Sequence, residues 1–291
     1  MTPPVRVGTA EAPDGAALWW RADGSGPALL CSNGIGVSTS LWRGLAERFA
    51  PTHTVLTWDY RGHGRSPVPE HSDGVTVIQC ARDLWTVAER AGVREAVLLG
   101  HSIGVQVCLE SWRLRPDGVR AFVPMLGAAG GAFSSFPGGP ALMPALTLLL
   151  EIGARNAALA QKALRALVRL PGMWQAVRAV GMLHPDLGPR EDFEAWFEHV
   201  RQLDLRAYFA LARDLLSHDA TPLLDEVRVP TLVVAGDRDL FTPLARSREL
   251  ASRIREADLL VVRGGSHAAL IEQPELIALA LEKFLRQHGV A

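Results

Sequence analysis

Between residues 28 and 126, short apolar runs alternate with stretches of helical period, and few folds accept that rhythm. Residues 28–31, 54–58, 96–100 and 120–126 are too short and too continuously apolar to be amphipathic helices, and they predict buried strands. Between them, a segment from about Ser40, with Leu41, Leu45 and Phe49 on one face, and a second over 75–91 carry the 3.6-residue period. Such alternation specifies a mostly parallel central sheet flanked by helices on both faces. It resumes late in the chain, with strands over 229–235 and 258–262 and helices over 243–254 and 268–288. At the other end, 5–9 and 16–21 predict two strands joined at Pro13-Asp14-Gly15. From 130 to 222 the strand-like runs vanish and helical patterns replace them, including 157–170, 189–203 and 206–217. The chain therefore divides into a first core part (1–129), a helical insertion (130–222) and a second core part (223–291). Ligands of such sheets bind at the carboxyl ends of the strands, so the loops leaving that edge are where chemistry is expected.

One of those loops is Gly100-His101-Ser102-Ile103-Gly104, between the 96–100 strand and a helix from Ile103 to about Arg115. A turn this sharp forces the serine into a strained backbone, and side chains at the two glycine positions would collide with the neighbouring strand and helix. The serine hydroxyl is thereby held clear of the backbone above a helix N-terminus. A hydroxyl is a poor nucleophile until a base takes its proton, and that base needs a partner to fix its tautomer. Of nine histidines, His267 follows the last strand in Arg263-Gly264-Gly265-Ser266-His267 and is the candidate base. His101 should point away from the hydroxyl, His53 starts a strand at the opposite edge, and His63 and His71 could approach the pocket. His184, His199 and His218 fall in the insertion, and His288 near the tail. For the acid, the strand ending at Ala235 leads into Gly236-Asp237-Arg238-Asp239. Asp239 is far enough beyond the strand to turn toward a histidine, whereas Asp237 is suited to capping the turn or pairing with an arginine. The order Ser102, Asp239, His267 is that of a nucleophile-elbow hydrolase.

The negative oxygen formed when a serine attacks a carbonyl needs backbone donors. The amide of Ile103 at the helix start is one candidate and the amide of Ile35, in Ser32-Asn33-Gly34-Ile35-Gly36, the other. Losing one such donor typically costs ~2.7–4 kcal/mol of transition-state stabilisation.

Composition removes several other functions. Thirty basic side chains against 31 acidic argue against nucleic-acid binding, which is normally accompanied by a basic excess. Cys31, Cys80 and Cys108 form no CxxC or Cys/His cluster, so neither a disulfide framework nor a zinc site is expected. The longest apolar run, about 141–152, is broken by Pro144 and Glu151 and is shorter than the ~20 residues of a spanning helix. No signal peptide is visible after Met1, so a soluble cytoplasmic protein that docks on no membrane is the expectation.

Taken together, these motifs resemble the α/β-hydrolase superfamily across nearly the full chain. Gly100–Gly104 is similar to its nucleophile elbow, Gly236-Asp237-Arg238-Asp239 followed by Pro243 to its acid loop, and Gly265-Ser266-His267 to its histidine loop. Asp59-Tyr60-Arg61-Gly62-His63-Gly64-Arg65-Ser66 resembles a turn that is mainly structural in the family. The resemblance implies an α/β-hydrolase fold with the insertion as a helical cap. Leu142, Met143, Leu146, Leu149, Met173, Trp174, Phe193, Trp196, Phe197, Tyr208 and Phe209 supply that cap with large apolar side chains, some of which would line an acyl or aromatic pocket. The chain departs from the family in placing Asn33-Gly34 where His-Gly is usual, a change that would alter the polarity beside the carbonyl. That loop, with Trp42 beyond it, is similar to the one in enol-lactone hydrolases.

The function implied is a cofactor-independent serine hydrolase cleaving a small carboxylic ester through an acyl-enzyme. Lactone hydrolysis, carbon–carbon bond hydrolysis, thioester hydrolysis and peracid formation use the same triad. A serine nucleophile argues against the dehalogenases and epoxide hydrolases, whose relatives carry aspartate there. A low-turnover binding or receptor homologue is the alternative from another class. Oligomeric state is not legible.

Overall fold

The computed structural model describes residues 3–68, 74–131, 141, 143–170, 172, 173, 175 and 190–290. Eight strands, β1 (Val5–Glu11), β2 (Ala17–Asp23), β3 (Ala28–Ser32), β4 (Thr54–Trp58), β5 (Ala96–His101), β6 (Val119–Met125), β7 (Thr231–Gly236) and β8 (Ala257–Val262), form one sheet in the order β1-β2-β4-β3-β5-β6-β7-β8. The β1–β2 and β2–β4 pairs are antiparallel and the other neighbours are parallel. After β4 the chain returns across β3 to lay down β5, so the strand order reverses between β3 and β5. A crevice opens where the loops leaving two such strands diverge.

The period of two along each strand builds two cores. Leu30, Leu56 and Leu98 face α2 (Val77–Arg90) and α3 (Gly104–Leu114), whereas Leu29, Val55, Val97 and Leu99 face α1 (Arg43–Phe49) and α10 (Pro274–Gln287). Burying each such side chain contributes about 1.5–3 kcal/mol. Ser32 pairs with Gly100 across β3 and β5, which sets the carboxyl ends of those strands level.

The helix expected over 268–288 is interrupted. After α8 (Leu244–Arg253), residues Ala269–Glu272 form one turn, α9, and α10 begins at Pro274, with Gln273 between them at φ −138° and ψ 56°. Proline lacks the donor to continue a helix and disfavours the helical region for the residue before it. The segment expected to be helical from Ser40 instead opens as a 3₁₀ turn, Thr39–Trp42, before α1.

Between β6 and β7 lie α4 (Met143–Arg155), α5 (Ala157–Leu167), α6 (Arg190–Gln202) and α7 (Leu205–Asp214). The last of these is welded to the sheet domain: Ala207, Leu211 and Leu215 belong to the same buried cluster as Leu30 and Leu98. Asp214 accepts the amide of Val77 at 2.8 Å and so caps α2, and the Ala220 amide donates to Ala129 O at 2.9 Å. Of the apolar residues expected in the insertion, Leu149 is instead 65% exposed. Leu142, Trp174 and the side chain of Phe193 lie outside the described residues, as do His71 and His184.

The turn after β4 is held as the sequence resemblance implies. Arg61 is buried and bonds Asp83 through Nε (2.6 Å) and Nη2 (2.7 Å), and Asp14 through Nη1 (2.5 Å). Asp59 accepts the Arg65 amide at 3.0 Å, and burial pushes its carboxyl up to about 6. No helix among the described residues is long and apolar enough to cross a membrane.

Candidate active site

Ser102 sits between β5 and α3 at φ +56°, in the left-handed region that non-glycine residues rarely occupy. Its neighbours explain how that backbone is enforced. A Cβ on Gly100 would lie 2.4 Å from Gly104 O, and one on Gly104 would lie 2.3 Å from Ser32 O. The elbow therefore packs backbone to backbone against its own helix and against β3. The Ser102 amide donates to Met125 O at 3.0 Å, which ties the turn to the end of β6.

The acid and histidine loops arrive from β7 and β8. Asp239 is buried, and its Oδ1 accepts the amides of Phe241 and Thr242 at 2.8 Å each, leaving Oδ2 to face His267 Nδ1 at 2.8 Å. His267 Nε2 stands 3.0 Å from Ser102 Oγ. An ionised carboxylate only accepts, so Nδ1 carries the proton toward Asp239 and the bare Nε2 accepts from the serine hydroxyl. The three side chains singled out in the sequence thus form one continuous hydrogen-bonded chain, and Phe241 packs on the imidazole with centroids 5.0 Å apart.

The two loops also lock each other. Arg238 N–H donates to Gly265 O at 3.0 Å, Gly264 N–H donates to Asp237 Oδ1 at 2.7 Å, and a Cβ on Gly236 would lie 2.3 Å from Gly265 O. Asp237, expected to cap its own turn or pair with an arginine, instead accepts an amide of the histidine loop. Ser266 is held by Glu272, which accepts its hydroxyl at 2.5 Å and its amide at 2.9 Å. Sequence reasoning missed Glu272; its only signal is a carboxylate six residues after Ser266.

On the other side of the serine, Val37 N–H closes a turn onto Gly34 O at 3.3 Å with Gly36 at φ +67°. That leaves the amide of Ile35 on the outside of the turn. The Ile103 amide lies at the start of α3, where the first amides of a helix have no partner within it. Neither amide is bonded to a described residue. The loop touches the elbow, since a Cβ on Gly34 would lie 3.2 Å from Ser102 Cβ.

Asn33 corrects an expectation. Its side chain is turned inward: Nδ2 donates to Trp58 O at 2.9 Å and Oδ1 accepts from Trp42 Nε1 at 2.6 Å. With both ends of the amide engaged there, it fixes the loop and leaves the polarity beside a bound carbonyl to the backbone. Tyr60 adds a third strut, donating its hydroxyl to Asn33 O at 2.7 Å.

Other described histidines contact groups other than the serine. His63 is buried with Nδ1 3.0 Å from Arg61 O and its ring 6.5 Å from that of His199 on α6; burial holds both near 4. His218 contacts Gln106 and Glu110 of α3 at 2.6 and 3.1 Å, and His53 lies just before β4. His101 does avoid the hydroxyl, but it reaches His267. No group of three or more His, Cys, Asp or Glu that could hold a metal ion occurs among the described residues.

Fold and site together define a hydrolase-like sheet with a strained serine turn at its switch point. The chain belongs to the alpha/beta hydrolase fold family, whose model matches residues 27–274. It is 26% identical over 258 residues to RutD of Stutzerimonas stutzeri, provisionally named a carbamate hydrolase, covering 89% of this chain and 91% of that one. In structure it is similar to the esterase EaEST from Exiguobacterium antarcticum (TM-score 0.77, 18% identity, 98% of this chain and 100% of that one). It is also similar to the enol-lactonase from Burkholderia xenovorans LB400 (TM-score 0.75, 21% identity, 96% and 100%).

Proposed function

We propose that this hydrolase cleaves a carboxylic ester of modest size through an acyl-enzyme, with Ser102, His267 and Asp239 as the catalytic triad. The observation that carries the reading is the unbroken chain of hydrogen bonds from Asp239 through His267 to Ser102 Oγ. As Oγ attacks the carbonyl carbon, its proton passes to His267 Nε2, and the imidazolium is stabilised by the carboxylate it already faces. The oxyanion takes the amides of Ile103 and Ile35, both unengaged by described residues. Nε2 then returns the proton to the leaving alcohol. Water, activated by the same imidazole, releases the acid and restores the serine, so the cycle consumes only ester and water.

Residues 130–222 act in this reading as a cap. Supporting it, Tyr208 of α7 lies against the oxyanion loop, its ring carbons 3.2 and 3.6 Å from where a Gly36 Cβ would sit. The names of the relatives favour widening the substrate range to lactones and carbamates, which share the carbonyl chemistry. Hydrolysis of short and medium p-nitrophenyl esters, abolished by Ser102→Ala, is the expected result, with lactone, carbamate and thioester panels ranking the substrate class. An intact, folded protein that neither turns over these substrates nor reacts with a fluorophosphonate would instead fit a binding homologue.

A further inference from the structure

We propose that His101 is a positioning residue that holds the His267 imidazole in line through the His267 backbone carbonyl while keying the histidine loop to the oxyanion loop. This rests on the hydrolase reading above and adds a fourth side chain to it. His101 closes β5 immediately before the nucleophile and is 2% exposed. Its Nε2 lies 3.0 Å from His267 O, a carbonyl, so that nitrogen carries the proton and donates. The two rings stand 4.9 Å apart.

The imidazole of His267 is thus held at three points. Asp239 and Ser102 fix its two ring nitrogens, and His101 fixes the peptide plane from which the side chain springs. Without the third, the ring can keep its bond to Asp239 yet pivot away from Oγ. A displacement of about 1 Å at such a group is enough to cost about 100-fold in rate.

The other ring nitrogen explains a glycine. Nδ1 of His101 is buried without a hydrogen-bond partner, and a Cβ on Gly34 would lie 2.9 Å from it. The imidazole therefore fills the space that a side chain at 34 would occupy, and the loop bearing the Ile35 amide rests on it. Burial and the neighbouring His267 push the His101 ring down to about 3, so it remains a neutral donor. A permanent cation at this position would oppose the imidazolium that His267 must form.

The test compares His101→Leu, which removes the donor, with His101→Gln, whose amide nitrogen can reach the same carbonyl. The readouts are kcat and KM on the best ester, and the downfield proton signal of His267 Nδ1–H in the free protein. The Leu variant is expected to lose kcat by about 10- to 100-fold with KM within about twofold, and to broaden or lose the downfield signal. The Gln variant is expected to recover both, to within about threefold of the parent kcat. Should the Leu variant not fold, His101→Met asks the same question with a more adaptable apolar chain. A Leu or Met variant with parental kcat and signal, or a folded Gln variant as impaired as Leu, overturns the proposal. The proton signal needs no turnover, so a parent protein inactive on every panel would sink the hydrolase reading while leaving the positioning role tested.

Discussion

The indole nitrogen of Trp42 donates to Asn33 Oδ1 at 2.6 Å, and through this contact the loop after β3 is anchored to the first turn of helix rather than left to the solvent. Asn33 Nδ2 completes the anchor on Trp58 O. Asn33→Ala leaves a buried donor and a buried acceptor unmet, each worth about 1–3 kcal/mol. Urea unfolding at neutral pH is expected to show a loss of about 2–4 kcal/mol. A loss below half a unit would mean that water replaces both contacts.

The strain at Ser102 predicts opposite effects on stability and activity. Both Ser102→Ala and Ser102→Gly should abolish ester turnover. Alanine must keep the φ of +56°, whereas glycine adopts it freely. Residues held in such regions cost roughly 1–3 kcal/mol, and glycine's extra chain entropy offsets about 0.5–1 kcal/mol of the relief. Side-by-side melting should therefore place the glycine variant above the alanine variant by about 1 kcal/mol. Coincident melting curves would remove the strain argument.

Acid should weaken the fold through three buried histidines. His63 and His199 are held near 4 and His101 near 3, chiefly by burial, against 6.5 in an unfolded chain. Between these values the unfolded chain binds more protons than the native one. Stability is then complete above about 6.5 and falls toward 4, each histidine adding up to about 1.4 kcal/mol per pH unit. Like charge across the His63–His199 contact worsens the loss, and the Asp204 carboxylate near His63 partly opposes it. His199→Leu should flatten the dependence by about one proton when urea midpoints at pH 7 and 5 are compared. An unchanged slope would place the acid sensitivity elsewhere.

Asp59 acts with the opposite sign. Burial raises its carboxyl from 3.8 to about 6, so the native chain holds a proton that the unfolded chain releases. Its contribution is complete below about 4 and is lost as pH rises through 6. Asp59→Asn keeps an oxygen for the Arg65 amide and never ionises. It should gain up to about 3 kcal/mol at pH 8 and nothing at pH 4. A gain that does not vary with pH would point to packing instead.

How much of this was readable beforehand follows from the range of the interactions. The strands were legible because burial on both faces makes runs such as Ala96–Leu99 continuously apolar, and Ser102 because its glycines answer to contacts with the elbow's own helix and with β3. Asp239 and His267 were legible by their place at strand ends. The contacts that hold these groups were not. His101 to His267 O spans 166 residues, and Trp42 to Asn33 depends on a side-chain direction that no periodicity encodes. The insertion was legible only as helical, because the packing of α7 into the sheet domain depends on a partner surface distant in the chain. The break at Gln273 is written in Pro274, which disfavours the helical region for the residue before it.

The mutual bracing of the 236–239 and 263–267 stretches has a practical side for anyone recombining this enzyme with its relatives. Because each supplies the other's backbone partners, a chimera exchanging one segment alone inherits half of a clasp. The smallest transplantable unit spans both crossings, and catalytic competence should move between scaffolds as that whole or not at all.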